Sequence, residues 1–124
     1  MDQQPIVMRK RADFLAANRG LRVARPGFVL LFRPNGGLGI RYGITVTKKI
    51  GNAVVRNRMK RRFRELLRAE LPGGGLADHD HVLIGRDTGV ERDFATLRAE
   101  LNAALTRARD GKGDPPRGRG VRGR

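Results

Sequence analysis

Seven polar side chains between residues 56 and 68 are the part of this 124-residue sequence best suited to chemistry. Six are cations and one is an amide: Arg56, Asn57, Arg58, Lys60, Arg61, Arg64 and Arg68. An arginine presents a planar fork that binds phosphate oxygens in pairs, and an asparagine amide can bind a base edge or a 2′-hydroxyl. The set predicts a surface that binds a nucleic-acid backbone, without distinguishing RNA from DNA.

A helix would bring these side chains together. Asn52 is a favourable N-cap, and Pro72 with three following glycines is a stop signal, so we predict a helix from about Ala53 to Leu71. At about 100° per residue, one stripe of this helix is apolar and the opposite side is polar. The apolar stripe contains Val55, Met59, Phe63, Leu66 and, at its margin, Leu67; the far side contains Asn57, Arg61, Arg64 and Arg68, flanked by Arg58 and Lys60.

Cations at these spacings repel one another by a few tenths of a kcal/mol per pair. A helix face that meets only water usually includes glutamates that offset this repulsion, and here only Glu65 and Glu70 do so. The unbalanced charge indicates that an anionic partner relieves it.

The charge of the whole chain favours the same interpretation. Lys and Arg number 27 against 12 Asp and Glu, for a net charge of +15, and residues 9–68 alone hold 17 basic and 2 acidic side chains. Such a field opposes compactness and is typical of proteins that bind polyanions. We therefore expect the binding surface in the first half of the chain.

Other features limit the class of protein. The chain has no Cys, which excludes disulfides and thiolate metal sites. It has no apolar run near the roughly 18 residues of a membrane span and no apolar N-terminal segment of the secretory type. We expect a cytoplasmic protein.

The remaining elements surround the basic helix. The pattern predicts a first helix over Arg11–Arg19, an apolar strand over 28–32 and an alternating strand over Arg41–Lys49. Turn residues 34–37 lie between the two strands, so we expect these strands to form a hairpin. A short strand over His81–Ile84 and a last helix over about Asp93–Arg109 follow.

This order predicts an α+β fold, a small α/β sandwich with the sequence α-β-β-(β)-α-β-α, where one further short strand is optional. Residues 1–109 would form a single α/β domain that binds nucleic acid. Residues 110–124 are rich in Gly, Pro and Arg and have almost nothing to bury, so we expect a disordered basic tail.

Catalysis by the protein itself finds little support in the sequence. His79 and His81 alternate with Asp78 and Asp80 at the start of a strand, which places the two His on one side and the two Asp on the other. A nuclease needs a general acid and base or clustered carboxylates that hold metals. The remaining carboxylates are scattered, so we predict no catalytic residue and no metal site in the chain.

The run from Thr45 to Glu65 resembles the signature of the ribonuclease P protein family. The matching residues are Thr45, Val46, Thr47, Lys48, Lys49, Gly51, Asn52, Ala53, Val54, Val55, Arg56, Asn57, Arg58, Met59, Lys60, Arg61, Arg62, Phe63, Arg64 and Glu65. Weaker matches extend from Phe14 to about Leu105 and exclude the tail.

The resemblance implies a left-handed β-α-β crossover through the basic helix, against the usual right-handed rule. It also implies that this helix contacts a catalytic RNA, that the RNA with Mg²⁺ hydrolyses precursor tRNA, and that the protein is a monomer bound to RNA in a 1:1 complex. A cleft between the first helix and the sheet would take the single-stranded 5′ leader, with Arg11, Phe14, Phe28, Lys48 and Lys49 as candidate contacts. Where the family often has aromatic residues, this chain has Asn18 or Ala17, and Leu31.

Three other functions fit parts of the sequence. A ribosomal protein would share the size, the charge and the basic tail. A DNA-binding regulator could use the basic helix in a groove, although a strand and not a partner helix precedes it. An autonomous nuclease would cleave RNA without an RNA subunit.

Overall fold

The described residues form five strands and three helices in the order β-α-β-β-β-α-β-α. The computed structural model describes residues 4–111 and 113. The strands are β1 (Ile6–Val7), β2 (Leu21–Arg25), β3 (Phe28–Pro34), β4 (Arg41–Thr45) and β5 (His79–Gly85). The helices are α1 (Arg11–Ala17), α2 (Ala53–Gly74) and α3 (Phe94–Arg109). The predicted α+β class is confirmed, with β1 added before the first helix.

The strands form one mixed sheet in the order β1-β4-β5-β3-β2. Strand β5 is central: it runs parallel to β4 and antiparallel to β3. Because α2 joins the parallel neighbours β4 and β5, it is the crossover helix that the resemblance implies. The left-handed sense of that crossover stays a prediction.

The predicted hairpin between residues 28–32 and 41–49 is wrong, since β5 lies between β3 and β4. The turn after β3 is held by β5 instead: the Asn35 backbone amide donates to the Asp78 carbonyl (2.9 Å), and its side-chain amide donates to the Asp80 carboxylate (2.9 Å). The hairpin partner of β3 is β2, which the sequence pattern did not locate.

Three predicted boundaries also need correction. Helix α1 ends at Ala17, before Arg19, and β4 ends at Thr45, so Lys48–Ile50 form a 3₁₀ turn and no strand. Helix α2 continues through Pro72 to Gly74. Pro72 removes one helical hydrogen bond, but Leu71 is fully buried and its carbonyl accepts from the Gly75 amide (2.8 Å), so the last turn persists.

The two faces of the sheet are covered differently. The α2 and α3 face holds the main core, to which β3 contributes Phe28, Leu30 and Phe32. The opposite face holds a small cluster around Val29, Leu31 and Val82, which α1 and Met8 cover. Because α1 has seven residues, it covers only part of this second face within residues 4–111.

The expected tail, residues 110–124, lies largely outside the described residues. No helix within the described ranges is long and apolar enough to span a membrane.

His81 links strand β5 to the segment that follows α2. Its Nε2 accepts from the Leu76 amide (3.1 Å), and its Nδ1 donates to the Arg41 carbonyl (3.1 Å). Burial lowers the pKa of His81 from the ordinary 6.5 to about 4. The imidazole is therefore a neutral structural group at neutral pH.

This pKa predicts a loss of stability on mild acidification. The unfolded chain binds a proton near pH 6.5 and the fold only near pH 4, so the contribution of His81 is complete above about 6.5 and is lost as the pH falls toward 4. The loss should be on the order of 3 kcal/mol in the free energy of unfolding, measured by chemical denaturation across that range.

His81→Gln should flatten the profile between those two pH values, whereas His79→Gln should retain the loss, because burial, the largest cause of the lowered His81 pKa, is unchanged there. An unaltered profile in His81→Gln would contradict the assignment.

Candidate nucleic-acid interface

The start of α2 is fixed by its cap. The Asn52 side chain accepts from the Val55 amide (3.0 Å), and the Asn52 carbonyl accepts from the Arg56 amide (2.9 Å). An N-cap of this kind contributes about 1 kcal/mol to helix stability. The cap therefore fixes the residue at which the basic helix begins.

Burial of the apolar stripe then sets which way the cations face. Met59, Phe63, Leu66, Leu67 and Leu71 are buried, while Val55 is half-buried. The far side is exposed as the periodicity predicts, with Asn57, Arg58, Arg61, Arg64 and Arg68 open to solvent and Lys60 half-buried. The predicted exposure is confirmed, and contact of these side chains with RNA stays a prediction.

Three arginines of α2 already have partners within the protein. Arg62 donates to the carbonyls of Val90 and Arg92, so it holds the segment before α3. Arg56 donates to the Gly51 carbonyl (3.1 Å). Arg58 pairs with Glu91 at 3.1 Å, but both side chains are largely exposed, so this pair contributes at most about 1 kcal/mol.

Four other cations of α2 have no hydrogen bond or ion pair among the described residues: Lys60, Arg61, Arg64 and Arg68. We call these four the free cations. Within the described part of the protein, no ion pair offsets the repulsion between these four cations. The arrangement suits a polyanion that contacts several of them at once.

A groove of about 210 Å³ opens on the other face of the sheet. Its floor is apolar, and Arg11 supplies a cation at its rim. Helix α1 contributes Arg11, Phe14, Leu15 and Asn18, and the strands contribute Leu31, Thr45, Val82 and Ile84. Positions 18 and 31, where the resemblance implies aromatic residues, thus line the groove.

Gly43 makes the position of Phe14 possible. A Cβ at Gly43 would lie 2.5 Å from a ring carbon of Phe14, inside any normal contact. The Phe14 ring therefore lies directly on the backbone of β4. It stays half-buried, with part of its surface in the groove.

Phe28 does not line this groove, so its place among the candidate leader contacts is corrected. It is fully buried on the α2 and α3 face, with its ring edge-on to Phe63 at 6.1 Å. The sequence held the signal: side chains alternate along a strand, and Phe28 is three residues from Leu31, which puts them on opposite faces.

Lys48 and Lys49 lie in the 3₁₀ turn between β4 and α2 and are exposed. This turn follows Thr45, which lines the groove, and precedes the first residues of α2. The two lysines therefore lie between the groove and the cationic helix. The sequence placed them in the strand, but their candidate role remains open.

A partly buried ionic network fixes α1 over the sheet. Arg41 donates from Nε (2.7 Å) and a terminal nitrogen (2.8 Å) to Asp80, and it pairs with Asp13 of α1 at 3.4 Å. Burial would raise the pKa of Asp80, but hydrogen bonds from Arg41 and Asn35 outweigh it, and the pKa lies below 3.8. Asp80 is a structural carboxylate, which sequence reasoning did not identify.

The carboxylates and imidazoles do not converge on a reaction site. Both oxygens of Asp80 accept hydrogen bonds, both nitrogens of His81 have partners, and Nδ1 of His79 lies 2.9 Å from the Ala77 carbonyl. Within residues 4–111 and 113, no group of three or more His, Asp or Glu could hold a metal ion. This side-chain set does not suit a Mg²⁺ site.

Comparison with known proteins now decides the family. The family model Ribonuclease P matches residues 3–109. The chain belongs to the ribonuclease P protein family. A protein of Erythrobacter litoralis named ribonuclease P protein component is 76% identical over 96% of this chain and 98% of its own length.

Solved structures of family members agree. The ribonuclease P protein from Thermotoga maritima has a TM-score of 0.72 at 37% identity, covering 81% of this chain and 94% of that one. The protein from Staphylococcus aureus has a TM-score of 0.70 at 31% identity, covering 82% and 94%. The family fold therefore extends over the elements that carry the groove and the free cations.

Family membership resolves two of the alternatives in favour of a ribonuclease P protein. Neither a ribosomal protein nor a DNA-binding regulator agrees with these matches.

The contact between Phe14 and Gly43 predicts a strong coupling between these two residues. Gly43→Ala should lower the free energy of unfolding by about 1–3 kcal/mol, because the ring must move off β4. In a Phe14→Ala background, the same substitution should cost far less. Chemical denaturation of the four proteins measures the coupling.

Gly73→Ala is the matched control, since a Cβ there meets nothing within 4 Å. Equal costs of Gly43→Ala with and without the Phe14 ring would contradict the geometry.

Proposed function

We propose that this chain binds the catalytic RNA of ribonuclease P through the outer face of α2. The contacts are Arg56, Asn57, Arg58, Lys60, Arg61, Arg64 and Arg68. The observation that carries the proposal is the set of free cations on a helix whose other side is locked into the core. Phosphates of a folded RNA would relieve their repulsion.

The groove beside α1 is proposed to take the single-stranded 5′ leader of precursor tRNA. An apolar floor with one ring and a cationic rim suits an extended strand, whose bases lie on aromatic faces while cations follow its backbone. Arg11, Phe14, Lys48 and Lys49 remain the candidate contacts. With Leu31 and Asn18 in the lining, we expect more reliance on charge than on stacking.

The hydrolysis itself is assigned to the RNA with Mg²⁺. In this proposal the ion is bound mainly by the RNA, which agrees with the poor fit of the protein's carboxylates. The protein would act in the cytoplasm as an accessory subunit, one copy per RNA. Its cations lessen repulsion between leader and ribozyme, so less Mg²⁺ is needed.

Neutralising two free cations tests the RNA-binding face. Arg61→Met with Arg68→Met should weaken affinity for the RNA subunit by about 10-fold or more at low salt, and reduce the slope of log affinity against log salt by about two. The stability of the protein should hold, because neither side chain has a partner among the described residues.

Arg19→Met with Arg22→Met is the matched control. It removes the same charge from the turn after α1 and from β2, and it should change affinity for the RNA subunit little. If the two double variants lose affinity equally, α2 has no special role.

Reconstitution tests the function as a whole. The full protein is mixed with a bacterial ribonuclease P RNA at low Mg²⁺, and removal of the 5′ leader from a precursor tRNA is followed. The rate should rise well above that of the RNA alone, while the protein alone should cleave nothing. An unchanged rate, or cleavage without added RNA, would refute the proposal.

A further inference from the structure

A second hollow, of about 170 Å³, lies at the edge of β4, and we call it the notch. Strand β1 pairs only with Arg41 and Tyr42, so it stops short of Gly43 and Ile44. These two residues therefore line the notch along the edge that β1 leaves uncovered, and Val7 contributes from the end of β1.

The notch joins the two surfaces described above. Phe14 lines both the groove and the notch, so its ring is a shared wall. Across the notch from it stand Lys60 and Arg64 of α2, two of the four free cations. Arg61 and Arg68, the other two, do not line it.

This lining determines the kind of ligand. An apolar lining that includes the rings of Phe14 and Tyr42 takes a base, and the two unpaired cations take a phosphate. The paired bases of a helix are stacked and cannot enter a hollow of this size, whereas an unpaired nucleotide can. Continuity through Phe14 favours the strand that occupies the groove as the source.

We propose that the notch binds one nucleotide of the precursor's 5′ leader, with its base against Phe14 and its phosphate held by Lys60 and Arg64. The leader then passes from the groove around the Phe14 ring to the edge of α2. The inference rests on the proposed function, because it assumes that the groove takes the leader.

The experiment uses the full protein reconstituted with a ribonuclease P RNA. Affinity is measured for precursor tRNAs whose leaders lengthen one nucleotide at a time. The natural protein should show a step in affinity of about 10-fold at the length that reaches the notch. With the RNA subunit saturated by each protein, Lys60→Met with Arg64→Met should abolish that step.

Arg61→Met with Arg68→Met is the matched control, since it removes the same charge from the same helix outside the notch. It should weaken binding of the RNA subunit and keep the step. Val7→Trp, which fills the notch, should also remove the step, whereas Ile6→Trp on the other side of β1 should not. Thermal denaturation checks that each variant is folded.

Two results would overturn the inference. If Lys60→Met with Arg64→Met lowers affinity equally at every leader length, these cations serve only the RNA subunit. If Val7→Trp retains the step, the notch is empty. Both results are measured with the RNA subunit saturated, whereas failure of the proposed function would appear separately, as both cation pairs leaving binding of the RNA subunit unchanged.

Discussion

The packing of one side of α2 against the sheet is the interaction on which the rest of the structure depends. Phe63, Leu66 and Leu67 are fully buried, and each contributes about 1.5–3 kcal/mol by leaving water. Repulsion between neighbouring cations on the far side costs only a few tenths of a kcal/mol per pair. Burial therefore prevails, and the helix can carry an unbalanced charge without unfolding. The cations face solvent because burial holds the apolar side of the same helix against the sheet.

Side chains of the central strand β5 alternate between the two faces of the sheet, and the two sets have different roles. In β5, His81 and Leu83 face α2 and α3, while Asp80 and Val82 face α1. The first pair completes the core under the cationic helix. Asp80 instead binds Arg41, which in turn reaches Asp13 of α1. One strand thus secures both surfaces, which gives the buried carboxylate and the buried imidazole a structural role.

The sequence predicts well what depends on local periodicity and poorly what depends on pairing. The faces of α2 follow from a period of 3.6 residues, which the side chains between Val55 and Leu67 report directly. The neighbour of β3 is decided by contacts distant in sequence, and the turn at residues 34–37 looks the same whether β4 or β5 lies beside that strand. The groove was only partly predictable. Phe14 was identified, Phe28 was assigned against its own strand alternation, and the network of Asp80 could not be recognised before the register of β5 was known.

The shortness of β1 has a structural consequence for the relation between the two surfaces. Edge strands that are long and flat invite further pairing, and proteins commonly shorten them. Here β1 ends at Val7, and the Met8 amide donates the next hydrogen bond, to the Tyr42 carbonyl (2.8 Å). The chain then turns into α1, whose Phe14 lies on Gly43. A longer β1 would run alongside Gly43 and Ile44 and fill the notch between Phe14 and α2. The cationic helix and the groove are on different sides of the sheet, and the early end of this strand leaves them connected around its edge.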